Sequence, residues 1–195
     1  MIYAPIRTLK SLGCTDIIVV AGGDHLGDIA SVLSDGSELG ISVSYRVQKE
    51  PDGIGGAIKC VEGYVGGLFP VILGDNYFYD PPDQTDQPAI YLQHHPRWKD
   101  FGVYNEKENI IVEKPPEFVG SFIVTGLYIY DDSVFDYAAM LGKSDRGEYE
   151  VTDINNMYLN SGVMDIIRYK SYWRDMGVFD GLYGASKLEK DRTWH

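Results

Sequence analysis

Two aspartates, each close to a glycine at the end of a predicted strand, are the residues of this sequence best suited to chemistry. Asp75 follows the apolar run in LFPVILGD, and Asp175 lies in WRDMG. Two carboxylates in such similar surroundings suggest a pair of metal ligands. Mg²⁺ suits that pair, because it takes one or two carboxylates and completes its octahedron with water and phosphate oxygens. The alternative for Asp75 is an ordinary turn cap, a role that Asp often fills.

The motif EKP brings an acid and a cation to the end of another predicted strand. Glu113 and Lys114 leave this strand together, and the two prolines that follow stiffen the exit. Because the chain is acidic, a site for an anionic ligand has to be built locally, from a few such cations or from a metal. A solvated surface ion pair is the alternative that this motif alone leaves open.

The glycine-rich stretch GIGG, at residues 53–56, does not complete a nucleotide-binding fingerprint. It lacks the full G-x-G-x-x-G pattern of that fingerprint. The sequence also has no G-x-x-x-x-G-K-[ST] motif. These observations argue against a Rossmann dinucleotide site and against a P-loop nucleotidase.

Short buried strands alternate with helices through the first part of the chain. Apolar residues recur at helical spacing over 2–12 and 26–33. The β-branched run 16–23 predicts a fully buried parallel strand, and 40–48 alternates as a strand does. Helices that alternate with buried strands imply a parallel sheet with helices on both faces. Ligands bind beyond the carboxyl ends of such strands, which is where Asp75 is expected.

A partly antiparallel region is predicted from residue 89 onward. A hairpin is expected to turn at 106–109, and short helices follow near 134–141 and 152–162, the second with Thr152 as its N-cap. The expected fold class is α/β, with a Rossmann-like mixed, mostly parallel sheet flanked by helices. The first helix feeds a parallel strand with no strand before it, so we expect an opening strand to be absent.

The composition excludes several classes of partner. The 195 residues carry a formal net charge of -12, and no Lys/Arg cluster offsets the acids. A nucleic-acid backbone or an anionic membrane is therefore not expected as a partner. The first residues lack a signal-peptide core, and no apolar stretch approaches the roughly 20 residues of a membrane span. Two cysteines without metal or redox spacing also fit a cytoplasmic protein.

Seven blocks of the sequence together resemble one protein family. In order and approximate spacing they are similar to the sugar-1-phosphate nucleotidylyltransferases, most closely the glucose-1-phosphate thymidylyltransferases. The resemblance runs over nearly the whole chain, and LGDN and RGEYEVTDIN are its most specific blocks. The seven blocks are VQKEPDGIGGA, LGDNYFYD, FGVY, EKP, VTGLYIYD, RGEYEVTDIN and WRDMG.

The resemblance implies a nucleotide site and a metal site. Gln48 matches the glutamine that reads the pyrimidine edge of the nucleotide, and Gly53 matches a glycine whose backbone approaches the base. Asp75 and Asp175 match the two magnesium-binding aspartates, and Asp75 also belongs to the nucleotide site. For these two aspartates, the resemblance and the residue pattern lead to the same prediction.

The resemblance also implies a sugar-phosphate site. Gly102, Glu113 and the backbone of Val124 match positions that hold the sugar hydroxyls. Lys114 and Arg146 match the cations that hold the sugar phosphate, and they are the expected catalytic residues.

The implied reaction transfers a nucleotidyl group from dTTP or UTP to glucose-1-phosphate and releases pyrophosphate. The phosphate oxygen of the sugar attacks the α-phosphorus in line, so catalysis consists mostly of positioning and charge neutralisation by magnesium and cations. That attacking phosphate is already ionised near neutral pH. Lys114 and Arg146 are therefore expected to act as clamps and not as proton carriers.

The sequence departs from the family at its start. The family opens with a strand and the loop G-G-x-G-T-R-L-x-P, which cradles the triphosphate, and this chain contains neither. We therefore expect a single nucleotidyltransferase domain over 1–195 that is truncated at both ends, with impaired turnover. Loss of a central strand is expected to expose unpaired backbone and apolar side chains. An exposed sheet edge of this kind would favour a homo-oligomer.

Two other interpretations stay open from the sequence. One is a non-catalytic relative that binds a nucleotide sugar or regulates a catalytic subunit. The other is a degenerate fragment without function. Retention of Asp75, Lys114, Arg146 and Asp175 favours the enzyme, because a binding module has no need to keep both metal ligands.

Overall fold

The computed structural model describes residues 1–190, so residues 191–195 of the predicted domain lie outside the described part. The helices are α1 (Tyr3–Ser11), α2 (Gly23–Leu33), α3 (Gly53–Lys59), α4 (Ser133–Met140), α5 (Val151–Ser161) and α6 (Phe179–Lys190). The strands are β1 (Asp16–Gly22), β2 (Ser42–Gln48), β3 (Phe69–Ile72), β4 (Asn76–Phe78), β5 (Ala89–His94), β6 (Gly102–Asn105), β7 (Ile110–Glu113), β8 (Phe122–Tyr130), β9 (Asp165–Arg168) and β10 (Trp173–Asp175).

A two-stranded sheet, called the small sheet below, consists of β1 and β2, which run parallel with Gly22 opposite Gln48. A second two-stranded sheet consists of β4 and β10, which run antiparallel. The helices α1 and α2 pack against the small sheet through apolar side chains that include Ile6, Leu9 and Leu33. The expectation that β1 is fully buried is wrong, because most of its residues are only partly covered. Within residues 1–190, β1 pairs with β2 alone, so its other edge lacks a neighbouring strand to cover it.

A cavity of about 490 Å³ separates this free edge of β1 from β3. Within the described chain, β3 pairs on one side with β8 and on the other side faces the same cavity. The walls are mainly apolar and include Ile17, Ile18, Val20, Val61, Val71 and Ile72. Apolar side chains of β1 and β3 thus face one cavity from two strand edges that have no neighbouring strand within residues 1–190.

The large sheet has six strands and is organised around β8. This strand runs antiparallel to β3, β5 and β6, while β9 pairs parallel with β5 at the edge. The α/β class with a mixed sheet is confirmed. Among the strands of residues 1–190, however, only β1–β2 and β5–β9 are parallel pairs, because the long β8 is antiparallel to each of its neighbours.

Stacked tyrosines form much of the core on one face of the large sheet. The rings of Tyr128 and Tyr130 stack at 5.6 Å, and Tyr130 stacks on Tyr158 of α5 at 5.5 Å. The hydroxyl of Tyr130 donates a hydrogen bond to Asn155, so the buried ring keeps its polar atom satisfied. Burial raises the pKa of Tyr130 well above its usual value, which keeps the ring neutral. The core therefore fixes α5 rigidly against β8.

The predicted hairpin is confirmed, but the predicted helix cap is wrong. The strands β6 and β7 pair antiparallel, with Asn105 opposite Ile110 and the turn between them. The second predicted helix begins at Val151, with Glu150 at the N-cap position and no side-chain cap. Thr152 lies inside the first turn, and its hydroxyl bonds to the Glu113 carboxylate instead.

Among the described residues, no helix is long and apolar enough to span a membrane.

Candidate active site

Each residue that the sequence assigns to the site lines one of two adjoining cavities. The outer cavity, of about 490 Å³, is lined by Gln48, Gly53, Lys114 and Arg146. The inner cavity, of about 160 Å³, is lined by Asp75, Gly102, Val124 and Asp175. Glu113 lines both cavities, together with Ile54 and Val151. The fold thus gathers residues that are far apart in sequence into one continuous region, while their individual roles stay a prediction.

The pairing of β4 with β10 places the two aspartates together. Asp75 directly precedes β4, Asp175 is the last residue of β10, and Asp175 lies opposite Asn76 in the register. A Cβ built on Gly177 would lie 3.0 Å from an oxygen of each carboxylate. The two oxygens are therefore separated by no more than twice that distance, and the glycine leaves the space between them open.

This arrangement fits a divalent cation. Within residues 1–190, no group of three or more His, Cys, Asp or Glu side chains is placed to hold a metal. The Asp75 and Asp175 carboxylates beside Gly177 are the side chains that would hold such a cation. Water and phosphate oxygens would fill the other positions, which is the way that Mg²⁺ is commonly bound.

A buried amide, which the sequence did not assign to the site, holds the Asp75 carboxylate. Asn76 donates a hydrogen bond from Nδ2 to Asp75 Oδ1 at 2.9 Å. Its Oδ1 accepts hydrogen bonds from the backbone N–H of Gly126 in β8 and from Trp173 Nε1 in β10, both at 2.8 Å. Asn76 is 3% exposed. One side chain therefore connects β4, β8, β10 and the carboxylate.

Glu113 is held at the junction of the two cavities by Thr152. The Thr152 hydroxyl donates to Glu113 Oε2 at 2.5 Å, and Gly102 lies opposite Glu113 in the β6–β7 hairpin. A Cβ on Gly102 would lie 3.3 Å from both the Glu113 oxygen and the Thr152 hydroxyl. The absence of a side chain at Gly102 thus keeps a space beside the carboxylate that a hydroxyl-bearing ligand can enter.

Carboxylates surround the Arg146 guanidinium. Its Nη2 lies 2.6 Å from Glu150, 3.6 Å from Glu148 and 3.8 Å from Glu113. The hydrogen bond to Glu150 raises the pKa of Arg146. Burial alone would raise the pKa of Glu150, but the hydrogen bonds from Arg146 and Ser144 hold it below its usual value. Arg146 therefore stays charged, and an incoming phosphate has to compete with acids of the protein.

Lys114 adopts a backbone conformation that is uncommon for its residue type. Its φ is 42°, in the left-handed region, at the residue directly after β7. Its backbone N–H donates to Phe101 O at 3.0 Å, which keeps the chain close to β6. The charge of Lys114 also helps to lower the pKa of Glu150. Lys114 lines the outer cavity together with Arg146.

Gln48 and Gly53 form the opposite wall of the outer cavity. Gln48, at the end of β2, donates from Nε2 to Asp52 Oδ1 at 2.7 Å and to Gly53 O at 2.9 Å. Gly53 has a φ of 87°, and a Cβ there would lie 2.9 Å from the carbonyl oxygen of Tyr149. Only glycine fits this position without strain. The bonds to Gln48 fix the plane of its amide, so that its polar edge can face a ligand.

Comparison with known proteins identifies the family of this chain. The model of the nucleotidyl transferase family matches residues 1–192. The chain belongs to the nucleotidyl transferase family. A glucose-1-phosphate thymidylyltransferase of Neisseria meningitidis is 34% identical over 96% of this chain and 71% of its own length. The enzyme of the same name from Mycolicibacterium smegmatis is 33% identical over 95% of this chain and 70% of its own length.

Solved structures share the fold of this nucleotidyl transferase. A Bacillus anthracis protein assigned as a glucose-1-phosphate thymidylyltransferase, solved with sucrose, superimposes with a TM-score of 0.89 at 38% identity. The match covers 100% of this chain and 84% of that protein. A UDP-glucose pyrophosphorylase solved with UDP-glucose has a TM-score of 0.79 at 18% identity, over 97% of this chain and 86% of that one. At that identity the second match supports the fold alone.

Sequence reasoning missed several residues of this nucleotidyl transferase that shape the two cavities. Asn76 was visible only as the amide after Asp75 in LGDN, and Trp173 only as the aromatic start of WRDMG. Glu150 and Thr152 lie in the block RGEYEVTDIN, but their partners are Arg146 and Glu113. Arg146 and Glu150 are only four residues apart, whereas the contacts of Thr152 and Asn76 depend on the packing of distant elements and leave no periodic signal in the sequence.

Proposed function

We propose that this protein transfers a nucleotidyl group from dTTP, or from UTP, to glucose-1-phosphate, giving a nucleotide sugar and pyrophosphate. The observation that carries the proposal is the convergence of the Asp75 and Asp175 carboxylates on one open space beside Gly177. Asp75 and Asp175 both line the inner cavity, and this cavity shares Glu113 with the outer cavity, which is lined by the cationic side chains of Lys114 and Arg146. The names of the relatives in Neisseria and Mycolicibacterium point to the same reaction.

The two cavities divide the substrates between them in this proposal. Gln48 and Gly53 bind the base of the nucleotide in this proposal, since the bonds to Asp52 and Gly53 orient the Gln48 amide and leave its oxygen as an acceptor. Glu113, Gly102 and the backbone of Val124 bind the sugar hydroxyls, since a carboxylate and a carbonyl both accept hydrogen bonds from hydroxyls. The shared position of Glu113 brings the sugar to the boundary between the cavities.

Charge neutralisation and positioning carry the catalysis. Lys114 and Arg146 hold the sugar phosphate, and Arg146 can exchange a carboxylate partner for a phosphate of similar geometry. Asp75 and Asp175 would hold Mg²⁺, which would supply positive charge to the triphosphate when it is bound. Asn76 and the backbone N–H of Gly177 orient the two carboxylates through hydrogen bonds. The sugar phosphate is already an anion, so these residues transfer no proton.

A non-catalytic role in binding nucleotide sugars is the second candidate. The ion pairs of Arg146 with Glu113, Glu148 and Glu150 favour it, because they occupy a cation that catalysis needs for phosphate. This candidate predicts that a nucleotide sugar binds although pyrophosphate is never released.

The test is pyrophosphate release from purified protein with dTTP or UTP, glucose-1-phosphate and MgCl₂. It is run on the 195-residue chain and on a version extended upstream with the opening loop G-G-x-G-T-R-L-x-P of the family. Release that requires both substrates and stops with a chelator supports the enzyme. Calorimetric titration with dTDP-glucose covers the second candidate. Binding of this ligand without turnover in either chain would replace the enzyme proposal with the binding role.

A further inference from the structure

The hydrogen bonds of Asn76 define the orientation of its amide. Gly126 N–H and Trp173 Nε1–H are donors only, so the atom that they share must be the oxygen. The NH₂ group is then directed at Asp75, whose carboxylate accepts. The oxygen and the nitrogen of an Asn amide are often hard to tell apart, but here the two neighbouring donors determine which atom is which.

The fold reserves space for this side chain. A Cβ on Gly126 would lie 2.5 Å from Asn76 Nδ2 and 2.8 Å from its Oδ1. Glycine at this position of β8 is therefore what allows the amide to lie directly against the strand. Because Asn76 is almost completely buried, each of its polar atoms needs a partner within the protein.

The two ends of the amide have different consequences. The oxygen joins β8 and β10 to β4, and this end alone would account for a structural role. The nitrogen joins nothing further to the sheet, because it donates to a carboxylate that borders the inner cavity. A hydrogen bond at that end restricts rotation of the Asp75 carboxylate, which is one of the two proposed ligands of the cation.

We propose that Asn76 is a positioning residue that holds Asp75 in the orientation needed to bind the cation together with Asp175. The inference rests on the proposed function, because it assigns a supporting role for the same metal site. The β4–β10 register places Asp175 opposite Asn76, so the residue that orients one ligand also fixes the strand that carries the other. Partners of this kind outside the ligand set commonly determine the affinity of a metal site.

The test measures binding of Mn²⁺ alone, followed by the electron paramagnetic resonance signal of free Mn²⁺, in wild type and Asn76→Ala. We expect Asn76→Ala to weaken the affinity by about tenfold to a hundredfold. The matched control is Asn156→Ala, which removes an amide that bonds to the backbone of Ile111 at both ends, outside the carboxylate pair. Both variants lose stability, and only Asn76→Ala loses Mn²⁺ affinity.

A second variant covers the case in which Asn76→Ala does not fold. Asn76→Asp keeps the shape and the acceptor for Gly126 and Trp173, but it places a carboxylate oxygen against Asp75. Repulsion between the two carboxylates turns Asp75 away from the cation site. The buried carboxylate has no cationic partner, so we expect a lower melting temperature, and we expect pyrophosphate release from the folded variant to fall at least about tenfold.

Each outcome bears on the inference. Wild-type Mn²⁺ affinity in a folded Asn76→Ala variant, or a wild-type rate in Asn76→Asp, overturns the positioning role and leaves the proposed function intact. An equal loss of Mn²⁺ affinity in Asn156→Ala also overturns it, since general loosening of the fold would then be the cause. Failure of wild type itself to bind Mn²⁺ counts against the metal site of the proposed function, and the inference falls with it.

Discussion

The large sheet and the small sheet support the candidate site differently. Glu113 lies on the large sheet and Gln48 on the small one, while the two aspartates belong to the separate β4–β10 pair, which Asn76 connects to β8. In the large sheet, β8 has neighbouring strands on both sides, and Ile123, Leu127 and Tyr130 are completely buried. In the small sheet, β1 pairs only with β2 within the described chain, and most of its residues are partly exposed. The large sheet is therefore the rigid part of the scaffold.

The same difference distinguishes the metal and sugar side of the proposed site from its nucleotide side. The carboxylates of Asp75 and Glu113 are bonded to side chains that are themselves buried, Asn76 and Thr152. Gln48 ends β2 of the small sheet, and its side chain donates to Asp52 and to Gly53, where the connecting loop enters α3. Sites on well-supported elements hold their geometry better than sites beside loops. The metal and sugar side is thus preorganised, and the nucleotide side is more open to adjustment.

Hydrogen exchange gives the largest expected difference between the sheets. Backbone amides of β8, such as those of Leu127 and Ile129, should exchange at least about a thousandfold more slowly than those of Ile18 and Val19 in β1, because buried central strands open only with the whole fold. Mass spectrometry of peptides from the two strands measures the rates. Equal protection in both strands would show that the free edge of β1 is covered in solution.

Truncation of one side chain in each sheet should separate their energetic contributions. Leu127→Ala removes a completely buried side chain and should lower the free energy of unfolding by about 3 kcal/mol. Val20→Ala, at the wall of the cavity beside β1, should cost less than about 1 kcal/mol. Urea unfolding followed by circular dichroism measures both. Equal losses would contradict the distinction between a rigid and a loosely supported sheet.

Gln48→Ala should weaken nucleotide binding about tenfold and leave the affinity for glucose-1-phosphate unchanged, because only the base contacts this amide in the proposal. Calorimetric titration with each ligand measures the two affinities. Gln93→Ala is the matched control, since its amide bonds to Ser171 O away from both cavities. A comparable loss for both ligands in Gln48→Ala would remove this residue from the base site.

Thr152→Val should produce the smallest change. It keeps the shape of the buried side chain but removes the hydrogen bond to Glu113, which should weaken glucose-1-phosphate binding by about 1 kcal/mol, or roughly fivefold. Nucleotide affinity should not change. A selective loss of nucleotide affinity would instead place Glu113 on the nucleotide side of the site.

The sequence predicted the elements better than their pairing. Apolar runs and turn residues located β1, β2 and the β6–β7 hairpin, because these depend on local periodicity. The antiparallel neighbours of β8 were not predictable in the same way, since β3 and β5 lie far from it in the chain. The hydroxyl of Thr152 bonds to a residue 39 positions earlier and does not cap its own helix.

The residues of the candidate site were predicted in two ways, from the residue pattern and from the family resemblance, and the second identified more of them. Residue pattern alone indicated Asp75 and Asp175, because an acid beside a glycine at a strand end has a direct chemical interpretation. Gln48, Gly102 and Val124 came only from the family resemblance, since nothing in their local sequence indicates a ligand. Asn76 required the fold, because three strands must meet before its amide has a function.

The central claim is that Asp75 and Asp175 together hold a cation for nucleotidyl transfer. Its most direct test is pyrophosphate release, with dTTP, glucose-1-phosphate and varied MgCl₂, by wild type, Asp75→Asn and the control Asp165→Asn, an acid of β9 outside both cavities. The measurement uses the 195-residue chain and the version extended with the loop of the family. We expect Asp75→Asn to lose at least about a hundredfold in rate with an unchanged melting temperature, and Asp165→Asn to match wild type. An unchanged rate in Asp75→Asn would contradict the claim.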